Sequence, residues 1–497
     1  MRRSQARAAV IGVDIGTSSS KGVLVDLDGC LIASAVLEHA VDRPGPGMFE
    51  MDGSVWWDEF VALTRRLLAE QDVDVQAVGV SGMGPCVLLT DEADRPLRPA
   101  ILYGVDTRSG VQIERLNERY GADEILRRCG SALSSQAAGA KIAWVADEEP
   151  EVFARARRLY MPSSFLVRRL TGAYVLDQHS ASQCTPLYDT LEQTWYAPWA
   201  EEIAFPIELA PLQWPGDAAG TVSADAAAAT GLPAGIPVTT GTIDAWSEAL
   251  SVGAQNVGDL MLMYGTTMFL IHTVPEPLTS PALWGTVGAL PGTRNLAGGM
   301  ATSGAITGWL RELFGSPDYG DLLELAAQAG IGANGLLVLP YFAGERTPLM
   351  DPLARGVIAG LTLSHTRGDL YRAALEAIGY GVRHNIEAIE AAGGAIRRIV
   401  AVGGGTQGSL WTQLVSDITG RAQEIRAQSI GASYGAAFLA GGLVLGRADI
   451  DEWNPVRETV TPRPEAVEPY EELYALYRDL YPRTAETVHA LAARQER

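Results

Sequence analysis

Two short strings carry glycine and hydroxyl groups where a chain can grip phosphate: Gly16-Thr17-Ser18-Ser19-Ser20-Lys21 and Gly265-Thr266-Thr267. Glycine lets the main chain approach an anion closely, and hydroxyls and backbone N–H groups donate to its oxygens. Asp14 precedes the first string and offers the hard oxygen that magnesium prefers. By themselves these letters also describe a plain turn with a strand-end aspartate. A third string, Gly403-Gly404-Gly405-Thr406-Gln407-Gly408-Ser409, satisfies GxGxxG through Gly403, Gly405 and Gly408, and Glu424 follows at about the spacing of a ribose-binding acid. On local letters a dinucleotide-binding dehydrogenase competes here, although a lone GxGxxG is a weak signal. Asp244, in Gly241-Thr242-Ile243-Asp244-Ala245-Trp246, stands where a helix begins and reads either as an N-cap or as a working carboxylate.

The apolar pattern indicates the elements that must hold these residues. Ala8 to Asp14 is a short β-branched run, and Lys21 to Leu27 resumes it after the turn, which predicts strand, turn, strand. A P-loop instead runs through GxxxxGK[ST] into a helix, and no such string occurs, so any phosphate is held by a hairpin. Leu260 to Tyr264 and Met268 to Thr273 repeat the design around Gly265, and its return near the start of the second half suggests a duplicated α/β unit. Val75 to Val80 reads as a strand, Lys141 to Val145 and Pro150 to Arg169 as helices, Ala226 to Ala229 as an exposed helix, and Arg398 to Val402 as a strand before a helix from Leu410. A strand-like stretch at 237–240 meets Gly241 and a helix from Ala245, which divides the chain into domains 1–246 and 247–460. A tail, 461–497, helical over Glu471 to Leu491, is expected to pack back on the first domain.

At 497 residues the chain exceeds one ordinary core. Its 47% apolar and 20% charged residues are those of a globular protein. A net charge of −21, with no basic run, disfavours nucleic acid and anionic membrane surfaces. The start, Met1 to Arg7, carries three arginines, but Asp14 interrupts the apolar stretch Ala8 to Val13 too soon for a secretory segment. A cytoplasmic protein with neither nucleic-acid nor membrane partners is expected. Cys30, Cys86, Cys129 and Cys184 form no CxxC pair and the six histidines no HxxxH group, so buried thiols are expected and no zinc site or disulfide.

Farther along, Gly356-Val357-Ile358-Ala359-Gly360-Leu361 is followed after seven residues by Asp369-Leu370-Tyr371-Arg372-Ala373-Ala374-Leu375-Glu376. This resembles the C-terminal signature of the FGGY carbohydrate kinases, and Gly344-Glu345-Arg346-Thr347-Pro348 resembles the GERTP segment of their xylulokinase-like branch. The other family signature is met in part by Lys141, Trp144, Asp147 and Glu148, with Ala138 where Pro, Ser or Thr is usual. The resemblance runs from Val10 to about Gly441 in family order. It implies an α/β fold of two actin-like, ribonuclease-H-like ATPase domains with the active site in the cleft between them.

The resemblance also implies roles. Asp14 would hold Mg²⁺, directly or through water. Gly16, Thr17, Ser18 and Lys21 would meet the phosphates of ATP from one domain, and Gly265, Thr266 and Thr267 from the other. Asp244 would be the catalytic carboxylate, in contact with substrate and metal. Gly304, Gly404, Gly405, Gln407 and Ser409 would meet adenosine. Ser81, Met83, Gly84 and Pro85 stand where xylulokinases carry a Ser-Gly-Gln-Met-His-like substrate loop, with Pro85 near the place of the histidine. Asp106 and Arg108 resemble an Asp-x-Arg segment whose carboxylate accepts sugar hydroxyls, the alternative being a salt bridge between them. Trp56 and Trp57 are candidates for the wall of the sugar pocket or for core. A ketopentose such as D-xylulose leads, with another ketose, a polyol (glycerol or erythritol) or gluconate open, and a homodimer is a frequent state in such a family. Retention of Asp244 argues against a non-catalytic actin-type ATPase switch.

Overall fold

The computed structural model describes residues 6–495, so most of the arginine-bearing start lies outside them. Seven strands form the first sheet: β1 (Arg7–Ile15), β2 (Ser19–Asp26), β3 (Leu31–Glu38), β4 (Val73–Gly82), β5 (Ala218–Thr221), β6 (Pro237–Thr239) and β7 (Thr242–Ile243). Their order is β5-β6-β4-β1-β2-β3, with β7 also on β4. The second sheet holds β8 (Asp259–Tyr264), β9 (Met268–Val274), β10 (Trp284–Val287), β11 (Arg294–Met300), β12 (Arg398–Val402), β13 (Gln423–Arg426) and β14 (Val456–Val460), ordered β10-β11-β9-β8-β12-β13-β14. In each sheet the leading strand, β1 or β8, runs antiparallel to its hairpin partner, and that partner antiparallel to the next strand. On its other side each leading strand is parallel to β4 or β12. The two Gly-Thr turns therefore mark a repeat of sheet topology. β1 is buried on both faces, which is why it reads as a continuous apolar run instead of alternating.

The helices that matter for the site are α1 (Gly53–Leu68), α2 (Ala138–Glu148), α3 (Pro162–Thr171), α4 (Asp244–Ser251), α5 (Gly304–Leu313), α6 (Tyr319–Ala329), α7 (Arg367–Ala391), α8 (Ser409–Thr419), α9 (Ala432–Leu445) and α10 (Pro464–Gln495). Trp56 and Phe60 of α1 and Phe165 of α3 pack with Ile11 and Val13 on one face of the first sheet. The other face, at Val10, Val23, Val25 and Ala77, is covered by Tyr434, Ala437 and Phe438 of α9, a helix from the far half of the chain. On the second sheet, Ile378, Val382 and Ile386 of α7 pack on Leu260 and Leu262. Its opposite face takes Trp246, Ala249 and Leu250 of α4, and Trp246 donates to Asn295 Oδ1 at 2.9 Å. Each half thus lends one helix to the other, and α4 and α9 cross between the sheets. Glycine makes that crossing close. A Cβ on Gly12 or Gly79 would lie 2.0 Å from the Ser433 oxygen or 1.9 Å from the Ala436 oxygen, and one on Gly435 1.8 Å from the Ser247 oxygen.

A second junction lies at β10. The Gly285 N–H donates to the Gly130 carbonyl at 3.0 Å and Ser131 Oγ to the Gly285 carbonyl at 2.9 Å. His179 stacks on Trp246 at 3.7 Å, and its Nδ1 donates to the Val287 carbonyl at 2.7 Å.

Four expectations change. The tail packs on the second half, not on the first: Tyr470 OH donates to Glu376 at 2.8 Å, Tyr477 and Tyr341 are hydrogen-bonded at 2.8 Å, and Arg383 donates to Glu471 at 2.8 Å. The tyrosines at 470, 474 and 477 form a helical stripe that meets Tyr380 of α7. The expected division at 246 and 247 falls inside α4, Asp244–Ser251, and not in a linker. Pro150 to Arg169 is not one helix but a short one (150–155), a strand (158–160) and α3, whose Pro162 lacks the N–H a continuing helix needs. Cys30 is exposed while the other three thiols are buried. Among the described residues no helix is long and apolar enough to cross a membrane.

Candidate active site

Asp14, Ser81 and Thr242 stand in one row across three parallel strands, because Ser81 is the register partner of both others. The row lies at the carboxyl ends of β1, β4 and β7, where open α/β sheets gather ligands. Ser81 Oγ donates to Asp14 Oδ1 at 2.6 Å. Asp14 Oδ2 lies 3.9 Å from where a Cβ on Gly16 would sit, so it faces the first glycine turn. That turn is closed by Gly16 N–H to the Ser19 carbonyl at 3.2 Å, and the second by Gly265 N–H to the Thr267 carbonyl at 3.2 Å. Ser18 and Thr266 are exposed at their tips, and Lys21 is the cross-strand partner of Asp14. Gly304 donates to the Gly265 carbonyl at 3.0 Å, and a Cβ there would meet that oxygen at 2.6 Å, so Gly304 backs the second turn.

Asp244 is the first residue of α4, not its N-cap, and accepts from the Ala245 N–H at 2.7 Å. Burial and then the neighbouring Asp14 push its carboxyl up to about 7. Burial pushes Asp14 up to about 6 against the pull of the Ser81 hydrogen bond and Lys21. Glu248, one helical turn beyond Asp244, is pushed up to about 7 by burial and by Asp14, with Lys21 opposing. Mutually repelling carboxylates short of positive charge suit a hard divalent cation. Among the described residues they do not converge into an all-protein metal cage. Magnesium commonly takes only one or two carboxylates beside water and phosphate, so the donor set fits it.

A cavity of about 180 Å³ opens beside Asp244 between the two halves. Gly84, Tyr103, Gln136 and Gln183 line it from the first half, and Thr267, Phe269, Trp284 and Arg346 from the second. Tyr103 OH is hydrogen-bonded to Thr17 Oγ1 at 3.1 Å, which ties the cavity to the first glycine turn, and Thr267 ties it to the second. The buried Lys141 donates to the Tyr103 carbonyl at 2.9 Å and the Ser135 carbonyl at 2.5 Å, holding both wall segments. Burial lowers its ammonium to about 8. Arg346 donates to the Met300 carbonyl at 2.9 Å, and Glu345 accepts from the Ala301 and Arg346 N–H groups at 2.8 Å.

Several expected substrate residues stand elsewhere. Asp106 is fully buried and does not line the cavity: its oxygens accept from the Phe49 N–H at 2.7 Å and from the guanidinium of Arg108 at 2.8–3.0 Å. Arg108 also donates to Glu50 at 2.6 Å, so the alternative of a salt bridge is what the pair forms, and it is buried. Ser81 acts on Asp14, Met83 lies in the core, and Pro85 is buried behind Gly84, which alone of that loop reaches the cavity. Trp56 is core and Trp57 stacks on Phe60, so neither walls the pocket. Trp246 and Trp284 do, with Gln136, Gln183 and Arg346. Arg346 was readable from the GERTP string and Glu248 from its four-residue spacing to Asp244, whereas nothing local marks the two glutamines.

The third glycine string follows β12 and precedes α8. Gly403 has φ +97°, and a Cβ there would meet the Tyr264 oxygen at 2.5 Å, so the string lies against the end of β8 next to the second glycine turn. Gly404, Gln407 and Ser409 are exposed there, while Gly405 makes room for the Trp411 ring. β13 does run parallel to β12, the setting GxGxxG requires. The sheet as a whole is mixed, however, and Glu424 pairs with Arg398 at 3.4 Å.

Residues 9–251 match the model of the FGGY family of carbohydrate kinases, N-terminal domain, and residues 260–442 the C-terminal domain of that family. The xylulose kinase of Escherichia coli (strain K12) is 30% identical over 435 residues, 86% of this chain and 89% of that protein. The gluconokinase of Bacillus subtilis (strain 168) is 26% identical over 493 residues, 95% of each. The crystal structure of xylulose kinase from Rhodospirillum rubrum is similar with a TM-score of 0.90 and 32% identity, covering 97% of this chain and all of that one.

Proposed function

Because the chain belongs to the FGGY family of carbohydrate kinases, ATP-dependent enzymes that phosphorylate sugars, we propose that its acceptor is a ketopentose, with D-xylulose foremost. The observation that carries this is the cavity itself: a carboxylate, two amides, a phenol and two indoles around a space for one small polyhydroxylated molecule. Amide and phenol groups match hydroxyls, and indole faces match the C–H side of a sugar.

Asp244 is placed to aim the acceptor hydroxyl and take its proton. As it does so, the hydroxyl oxygen bonds to the γ-phosphorus, the bond from that phosphorus to the β–γ bridging oxygen breaks, and ADP leaves. The turns at Gly16–Ser19 and Gly265–Thr267 donate N–H and hydroxyl hydrogens to the phosphates, with Lys21 adding charge. The segment from Gly404 to Ser409, with Gln407, receives adenosine. Asp14, fixed by Ser81, and Asp244 would hold Mg²⁺, partly through water, and the ion supplies charge neutralisation on the phosphoryl oxygens. Trp246 and Trp284 keep water from intercepting the transfer.

Arg346 favours a second reading. A guanidinium on the cavity wall with a buried, unpartnered Nε suits an acidic acceptor such as gluconate. Substrate-dependent ADP release across D-xylulose, D-ribulose, L-ribulose, glycerol, erythritol and gluconate tests both. D-Xylulose should show the highest kcat/KM; gluconate in first place would replace the ketopentose by the acid, and glycerol in first place would reject both.

A further inference from the structure

We propose that Glu248 is a third carboxylate of the metal–nucleotide face, a positioning residue that accepts hydrogen bonds from water on the bound magnesium ion and so fixes the ion near Asp14. The inference rests on the Mg·ATP reading of Asp14 and Asp244. Glu248 and Asp244 are four residues apart on α4 and therefore share one face of that helix. Asp14 and Lys21 are cross-strand partners on the hairpin opposite. These three groups account for the charged surroundings of Glu248: Asp14 and Lys21 act on it, and it acts on Asp244. A Cβ on Gly431 would lie 3.8 Å from Glu248 Oε2, which sets the carboxylate beside the N-terminus of α9, where the helix dipole favours an anion.

Among the described residues the half-buried Glu248 carboxylate has no hydrogen-bond donor and no ion pair within contact distance. A carboxylate with a purely structural part acquires a donor from its neighbours, whereas this one keeps both oxygens unclaimed. Lys21 is exposed and not in contact, so it does not fill that role. Three carboxylates against one ammonium leave two negative charges, the complement of one divalent cation. Magnesium keeps several of its waters, whose hydrogens need acceptors, and a carboxylate one turn from Asp244 supplies them.

The test is Mn²⁺ binding to the full-length protein with ADP, followed by the electron paramagnetic resonance signal of free Mn²⁺, for wild type, Glu248→Gln and Glu248→Asp. Thermal unfolding checks that each variant is folded. Glu248→Gln should weaken Mn²⁺ binding by about tenfold, the usual effect of removing a partner of a metal's bound water, and Glu248→Asp should recover part of it. The KM for Mg²⁺ should rise more than kcat falls, with the sugar KM unmoved. Unchanged Mn²⁺ affinity in a folded Glu248→Gln protein overturns the proposal, as does a loss confined to kcat. If Glu248→Gln does not fold, Glu248→Asp decides by the same two readings. Binding is read without turnover, so an error in the acceptor assignment leaves this result intact. Absence of any Mn²⁺·ADP binding by wild type would instead reject the Mg·ATP reading itself.

Discussion

A carboxylate that takes a proton must keep an oxygen free for it, and Asp244 does, with one oxygen bound to the start of its own helix and the group open to the cavity. Asp244→Asn should lower kcat by about two to four orders of magnitude while leaving ATP affinity near wild type, because a positioned base acts mainly in the transition state. Single-turnover kinetics with a nucleotide-binding isotherm check it; near-normal turnover by a folded variant removes Asp244 from the mechanism. Asp106 is the counterexample, an aspartate whose oxygens are already used. Asp106→Ala should cost on the order of 3 kcal/mol of stability by leaving Arg108 short of its partner, with little change in sugar KM, whereas Arg346→Ala should raise sugar KM at least tenfold. Urea unfolding and steady-state kinetics separate the two. Sequence could not tell these aspartates apart. The Phe49 amide that occupies Asp106 stands 57 residues away, and only the fold brings it there. The places of Asp14 and of the glycine turns were legible because adjacent residues on one hairpin set them.

Elements show the same division between local and remote causes. The hairpins β1–β2 and β8–β9 were legible because apolar runs and turn residues lie side by side in the chain. The tail was legible as an amphipathic helix but not in its destination, since a tyrosine stripe states that it must pack without stating on what. The junction of the short helix Gln178–Ser182 with β10 was invisible in the same way. It carries a testable consequence of pH. Burial holds the His179 imidazole down to about 3, against an ordinary value of 6.5. The unfolded chain therefore binds a proton there between pH 6.5 and about 3 that the folded chain refuses, so this contribution is complete above pH 6.5 and is lost as pH falls toward 3. The raised carboxylates at 14, 244 and 248 act oppositely, the folded form binding protons first, so the effect is read as a difference. Urea midpoints should fall less between pH 7 and pH 4.5 in His179→Gln than in wild type. Equal falls would show that the imidazole is not held neutral at this junction.

At the scale of the whole molecule, the two sheets share a topology, yet neither half is self-sufficient, because α4 lies on the second sheet and α9 on the first. Gly12, Gly79 and Gly435 allow that crossing, and their need for a bare backbone cannot be read from a chain in which 54 glycines serve many purposes. The exchange of helices bears on how the protein comes off the ribosome. The strands of the first sheet have all been made by residue 243, but the helix that covers Val10, Val23, Val25 and Ala77 ends only at 445. At roughly 5–20 residues per second, one apolar face waits about 10–40 s for its cover. During that interval the nascent first half is an adhesive surface, a natural client for a holding chaperone. Expressed alone, residues 1–256 should be insoluble or lack a cooperative unfolding transition, and co-expression with 257–497 should restore soluble protein that phosphorylates sugar. A fragment 1–256 that melts sharply on its own would show that the first sheet does not wait.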